Sequence, residues 1–413
     1  MRDNWVNKKI REIGKVQTGS TPKTSNNDNF GDYIPFVKPS DFFKNGSLDY
    51  TNQGLSEIGL NQARLVDRDS VLMVCIGATI GKVGFTEKEV TTNQQINSLT
   101  PLNGDCSKFL FYQMLTQDFQ QKVLNSSGQA TLPIINKTKW SNLSLYLPPI
   151  PQQKQIVTIL DEAFEGIDRA IANTEKNLAN ARELFESYLN AIFTQKGDGW
   201  GEKKLGELCK KVEYGSSAKS LVEGKIPVLR MGNIQNGVID WSNLVYTIDQ
   251  EEIDKYLLKY NDVLFNRTNS DVHVGKTAIY KGEMPAIFAG YLIRIHRKDE
   301  LIDAEFLNFY LNSYTAREYG RSIMGRSVNQ ANINGTKLKD YPISLPSLSI
   351  QKQIVEKLSF LRTETQRLEA IYRQKLAALN ELKQSILQKA FTGELTADNA
   401  NQVKKTAKEV NAA

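Results

Sequence analysis

Imidazole, the commonest general acid–base group, is scarce in this chain. Only two histidines, His273 and His296, occur among its 413 residues, and imidazole supplies much of the general acid–base work done near neutral pH. The three cysteines, Cys75, Cys106 and Cys209, are odd in number and unpatterned, so neither a disulfide framework nor a thiolate metal cage is expected. HVGKTA from His273 has the ending of a phosphate-binding loop, but Ser270 stands where the first glycine is required. The counterpart GATIGKVG from Gly77 has only three residues between its glycines and Val83 after Lys82. Both are read as β-turns whose lysines, Lys82 and Lys276, could face phosphate. A nuclease triple can be forced onto Glu223-Gly224-Lys225 only with unrelated upstream carboxylates. No Asn/Asp-Pro-Pro-aromatic motif and no Gly-rich methyl-donor loop occurs.

Binding is better supplied than catalysis. Polar loops carry side chains able to pair with base edges or to contact phosphate, Arg suiting guanine and Asn or Gln suiting adenine. In the first half these are Ser20, Thr21, Lys23, Lys38, Ser40, Thr79, Lys82, Asn93, Gln94, Gln95 and Gln129. In the second they are Ser216, Lys219, Arg230, Asn233, Arg267, Asn269, Lys276, Arg326, Asn329 and Gln330, with Arg267, Asn269 and Arg326 the foremost. Solvated turns are the plain alternative for more than half of them. The net charge of +6 permits nucleic-acid binding without demanding it.

The elements that must position these loops come in duplicate. Leu147–Leu160 laid on Leu345–Leu358, an offset of 345 − 147 = 198, is identical at eight of fourteen residues, including Gln-Lys-Gln-Ile-Val in both. Upstream, WVNKKIREI from Trp5 matches WGEKKLGEL from Trp200, and the strand and turn from Ile34 matches that from Ile226. Runs such as VLMVCIG, KVGF, LSLYLP, AIFAGYLIRIH and YPISLP predict strands. SKFLFYQMLTQDFQQKVL and AEFLNFYLNSYTAREYGRSI carry helical spacing. The fold class expected is α+β, with one sheet-rich domain in each half.

After each Gln-Lys-Gln the spacing changes to steps of three and four. Ile156, Leu160, Ile167, Leu178, Phe185 and Ile192 form one apolar stripe, and Ile354, Leu358, Leu361, Leu368, Leu376, Leu379 and Ile386 form another. Helices of about forty residues reach roughly 60 Å, too far to bury a stripe inside a compact domain, so the two are expected to pair as an antiparallel coiled coil. The divisions expected are residues 1–150, 151–198, 199–348 and 349–395, with a flexible tail at 396–413. The Gln153–Gln155 and Gln351–Gln353 junctions are candidate docking surfaces.

Taken together, the Trp-x3-Lys opening of each half, the GSTP turn after the first, the Ile-Pro strand from Ile34 and again from Ile226, and the Leu-Pro-x4-Gln-x2-Ile-Val junction of each half, in this order from Trp5 to about Leu395, resemble the specificity subunit of Type I restriction-modification systems. The resemblance implies two target recognition domains reading the halves of a split double-stranded DNA site, separated by the helix pair as a ruler. It implies a chain without catalysis of its own that recruits two methyltransferase subunits, with restriction subunits completing the complex. S-adenosylmethionine, ATP and Mg are then expected on those partners, and no cofactor or metal on this chain. The halves differ, YGSSAK for TGSTPK and LRMGNI for VKPSDF, so they should read different bases. A DNA-modifying enzyme and a coiled-coil adaptor for proteins only are the competing functions. With no apolar signal core and no run of eighteen apolar residues, a cytoplasmic protein off the membrane is expected.

Overall fold

The computed structural model describes residues 4–102, 104–128, 132–197, 199–327 and 330–394. The chain divides into two compact units, one running to Lys176 and resuming at Arg373, the other Asn177–Tyr372. Among the described residues no helix is long and apolar enough to cross a membrane.

In the first unit the chain runs β1 (Val6–Lys9), β2 (Gly14–Thr18), β3 (Phe36–Val37), β4 (Val71–Val74), β5 (Val83–Phe85), β6 (Val90–Thr92), β7 (Ile96–Pro101), α1 (Ser107–Leu115), β8 (Ser144–Leu147) and then α2 (Ile150–Gln195). Strands β2, β7, β4 and β5, in that order, make an antiparallel sheet. β3 lies parallel to β6, and β1 closes against β8 just before α2 begins. All four residues of β4 are buried, which is why VLMV is continuously apolar instead of alternating.

The second unit repeats the plan with β9 (Gly201–Lys204), β10 (Cys209–Tyr214), β11 (Ile226–Leu229), β12 (Val263–Asn266), β13 (Thr268–Asn269), β14 (Thr277–Ile279), β15 (Ile287–Phe288), β16 (Leu292–Arg297), α3 (Ala304–Asn312), β17 (Gly325–Ser327), β18 (Gln330–Asn332), β19 (Pro342–Leu345) and α4 (Leu348–Thr392). The sheet order β10, β16, β12, β14 is the same, β11 lies parallel to β15, and β9 pairs with β19. An added small sheet, β13-β18-β17, has no counterpart among the described residues of the first unit.

Two local expectations change. The spacing over 107–124 and 304–323 suggests one helix each, but both break, at Thr116 and Ser313, whose hydroxyls accept from the N–H of Phe119 (3.4 Å) and Ala316 (3.5 Å) and cap a second helix. AIFAGYLIRIH is two strands in different sheets, with Gly290 between them donating its N–H to the Ser216 carbonyl at 2.6 Å.

The long helices cover Ile150–Gln195 and Leu348–Thr392. In the first unit Lys383 of α4 pairs with Asp168 of α2 at 2.6 Å. Going 182 − 168 = 14 residues on along α2, Arg182 pairs at 3.1 Å with Glu369, which lies 383 − 369 = 14 residues back along α4. The helices are therefore antiparallel. Ile156, Leu160, Ile167, Leu379 and Ile386 are buried in the first unit's core, and Leu358 in the second's. Phe185, Ile192 and Ile354 pack on the second core half-buried, while Leu178, Leu361 and Leu376 are half-buried. Leu368 departs from the expected interface, being 36% exposed.

Neither helix pair buries itself alone, because each is roofed by its globular domain. In the first unit Trp5, Phe109 and Phe391 form an aromatic triangle with centroids 6.0, 5.1 and 6.5 Å apart. In the second, Trp200, Phe306 and Phe193 do the same at 6.3, 5.5 and 6.4 Å. Phe193 and Phe391 are repeat equivalents, 391 − 193 = 198, so each domain closes on the end of the helix belonging to the other half.

The repeated glutamine is a buried latch. Gln153 accepts the Cys106 N–H at 2.8 Å and donates to Asp105 and the Pro148 carbonyl, both at 2.9 Å. Gln351 accepts the Asp303 N–H at 2.8 Å and donates to the carbonyls of Leu301 (3.1 Å) and Pro346 (2.9 Å). These two residues are thus unavailable for docking; at the junctions only Lys154, Gln155, Lys352 and Gln353 are exposed.

Candidate nucleic-acid interface

Strand register gathers the predicted loops at one edge of each main sheet. Thr18 lies opposite Asn97, Val74 opposite Ile96 and Val83 opposite Met73, so the ends of β2 and β4 and the starts of β5 and β7 coincide. The loops issuing there are tied together. The Ser20 N–H donates to the Thr92 carbonyl at 2.9 Å and the Asn93 N–H to the Val37 carbonyl at 3.2 Å. Thr21 donates its hydroxyl to Gln94 at 2.5 Å, and Gln95 reaches the Ile76 carbonyl at 3.5 Å.

Of the residues expected here, Lys23, Lys38, Ser40, Thr79, Lys82 and Gln94 are exposed. Ser20 is corrected: its hydroxyl is buried and turned from solvent. Asn93 and Gln95 are half-buried and bonded to each other, side chain to side chain at 3.0 Å and N–H to Asn93 at 3.1 Å, so they shape the loop. Gln129 lies outside the described residues.

In the second unit Tyr214 lies opposite Ile293, Asn266 opposite Leu292 and Phe265 opposite Thr277, and the corresponding edge carries Lys219, Arg230, Arg326 and Gln330 exposed, with Arg267, Asn269 and Lys276 half-buried. Two expectations fail. Ser216 is 5% exposed and accepts the Ala218 N–H at 3.1 Å. Asn233 is 3% exposed, accepts the Arg230 N–H at 2.9 Å and donates to the carbonyls of Asp240 and Ser242 at 2.8 and 3.0 Å. Its work is to hold the turn that presents Arg230, as Asp41 holds Lys38 by accepting its N–H at 2.7 Å. Asn329 lies outside the described residues.

Arg267 stacks its guanidinium over the Tyr214 ring at 4.7 Å, and Tyr214 is itself fixed by accepting the Gly335 N–H at 2.7 Å. The two lookalike loops are hairpin turns with Gly81 at φ +87° and Gly275 at φ +85°, a region that favours glycine. Around the second turn, cations crowd one another. Burial and Arg317 push Lys276 down, Lys276 with burial and Arg317 does the same to His273, and burial with Arg321 lowers Arg317. An anion placed there relieves that repulsion, which is what a phosphate backbone supplies. Arg317 was not legible as a member, because it sits on a helix whose spacing advertises only packing. Among the described residues no group of His, Cys, Asp and Glu could hold a metal ion.

The Type I restriction modification DNA specificity domain matches this chain twice, over residues 2–179 and 197–378. The MjaIX type I restriction enzyme specificity subunit of Methanocaldococcus jannaschii is 24% identical, over 95% of this chain and 94% of its own. The EcoKI specificity subunit of Escherichia coli K12 is 24% identical over 96% and 90%. In fold the chain is similar to a solved chain from work on assembly and conformational transition of the type I R-M system, with TM-score 0.77 at 17% identity over 95% of this chain and 99% of that one. It is also similar to the HsdS subunit of Thermoanaerobacter tengcongensis, at 0.56 and 18% over 95% and 98%. With its sheet edges and helices duplicated in one polypeptide and the domain model matched in each half, the chain belongs to the Type I restriction modification DNA specificity family.

Proposed function

We propose that this chain is the sequence-reading subunit of a Type I restriction-modification complex, each unit recognising one half of a bipartite, asymmetric double-stranded DNA target. The observation that carries this is a sheet edge built twice on one plan but furnished differently, with Lys38 on the first turn and Arg230 on the second. The same backbone thus offers two different sets of hydrogen-bonding groups. Two weak readers in one polypeptide gain from effective concentration. The chain is proposed to be non-catalytic and cytoplasmic, and to scaffold two methyltransferase subunits and, through the complex, restriction subunits. Those partners hold S-adenosylmethionine, ATP and Mg. Mapping methylated bases in cells that carry this chain with its methyltransferase should give a split motif with adenine methylated in both halves. A continuous motif would overturn the bipartite reading. Failure of the purified chain to shift any duplex, at any salt, would leave a protein-only adaptor.

A further inference from the structure

We propose that Asp271 and Arg326 together read one G·C base pair in the half-site of the second domain, Asp271 being the residue that positions Arg326. This rests on the DNA-reading function proposed above. Strands β17 and β18 form an antiparallel ribbon, and β13 adds to its other side, setting Arg326, Ala331 and Asn269 in register. The major groove of B-DNA admits a two-stranded ribbon. At the equivalent place in the first unit the described residues make one isolated bridge, Ile76 with Ile134.

The guanidinium of Arg326 is held from its side: Nε donates to Asp271 Oδ2 at 3.0 Å. That grip leaves the two terminal amino groups as a planar fork, the arrangement that matches O6 and N7 of guanine. The carboxylate is an acceptor of the kind the N4 amino group of the paired cytosine requires. Both side chains are reachable, Arg326 being 62% and Asp271 54% exposed. An exposed ion pair contributes little to stability, and a carboxylate on a surface that meets DNA weakens attraction for phosphate. Trading backbone affinity for base discrimination gives that carboxylate a use.

The test is selection of duplexes from a randomised library by the full-length chain at one moderate salt concentration, followed by sequencing. Asp271→Ala and Arg326→Ala should each lower the preference for G·C about tenfold at one and the same position, the double variant should go no further, and the other half-site should be unchanged. Arg326→Lys keeps the charge but not the fork and should lose the same preference. Should Asp271→Ala leave every position as in the unsubstituted chain, or relax all positions equally, the pair is not a reader. Retention of the preference by Arg326→Lys would make Arg326 a phosphate contact and overturn the proposal as well. If the unsubstituted chain selects no motif, it is the function proposed above that fails.

Discussion

At the scale of single residues, the two units share backbone and differ in chemistry. Arg294 in the middle of β16 is buried, donating to Glu213 at 3.0 and 2.5 Å and to Asp262 at 3.1 Å, while His296 lies 2.9 Å from the same Glu213 oxygen. The corresponding cross-strand pair of the first unit is Ser98 opposite Gln17. Burial by itself would raise the Glu213 carboxyl, but hydrogen bonds from Arg294, His296 and Lys211 outweigh it and hold it at about 2, against an ordinary 4.5. Its stabilising contribution is therefore complete above pH 4.5 and lost as the pH falls toward 2. Glu213→Gln should lower unfolding free energy at pH 7 by about 3 kcal/mol and make stability fall less steeply below pH 4.5, as urea titrations at pH 7 and pH 3 would show. Arg267→Ala, by contrast, removes a half-buried guanidinium from the proposed reading edge. It should lower the unfolding midpoint by only about 2–4 °C, through loss of the Tyr214 stack, while reducing specific duplex affinity by about tenfold, measured by titration at moderate salt.

At the scale of elements, the helices are held by latches that periodicity does not disclose. Gln153→Ala would leave the Cys106 N–H and the Pro148 carbonyl unpaired in a buried place, and should destabilise the first unit by about 1–3 kcal/mol in denaturant titration. Lys383 occupies a place where its repeat equivalent is Phe185, 383 − 185 = 198. It stands 4.8 Å over the Phe164 ring as well as on Asp168, whereas in the second unit Arg362 stands 5.0 Å over Phe309 beside Phe185. Both units thus set a cation from α4 against an aromatic ring, by different residues. Truncation of the partly exposed Lys383 to Ala should cost about 1 kcal/mol. Phe391→Ala, which opens a cavity beneath Trp5 and Phe109, should cost about 3–5 kcal/mol. Thermal melts of the two variants side by side would show that ranking.

At the scale of the whole molecule, the proposed bipartite target carries a non-specific gap whose length should follow the length of the paired helices. Inserting two turns of helix near Asn173–Asn180 of α2, matched by the same insertion in the facing stretch of α4 so that the antiparallel register is kept, should lengthen the gap in the methylated motif. The bases read at either end should stay as they were. An unchanged gap would show that the helices do not measure the target.

The duplication, the α+β class and both long helices were legible in the amino-acid order itself. An offset of 198 residues and steps of three and four in apolar side chains are local patterns that survive without knowledge of contacts. The turn loops with their Lys, Arg, Asn and Gln were legible for the same reason, since polar residues between strands announce themselves. Which of those side chains face outward was not. Ser216 and Asn233 look like Lys219 and Arg230 in sequence, yet the first pair spends its hydrogen bonds on the backbone and only the second pair reaches solvent. Nor could spacing show that Thr116 and Ser313 end one helix by capping the next, or that Gln153 and Gln351 are buried clamps. It could not show that each domain takes its closing phenylalanine from the other half's helix, or that Asp271 grips Arg326 across 326 − 271 = 55 residues. A hydrogen bond or ring contact between segments far apart in sequence leaves no periodic trace, so these pairings were decided only when the tertiary fold brought the segments together.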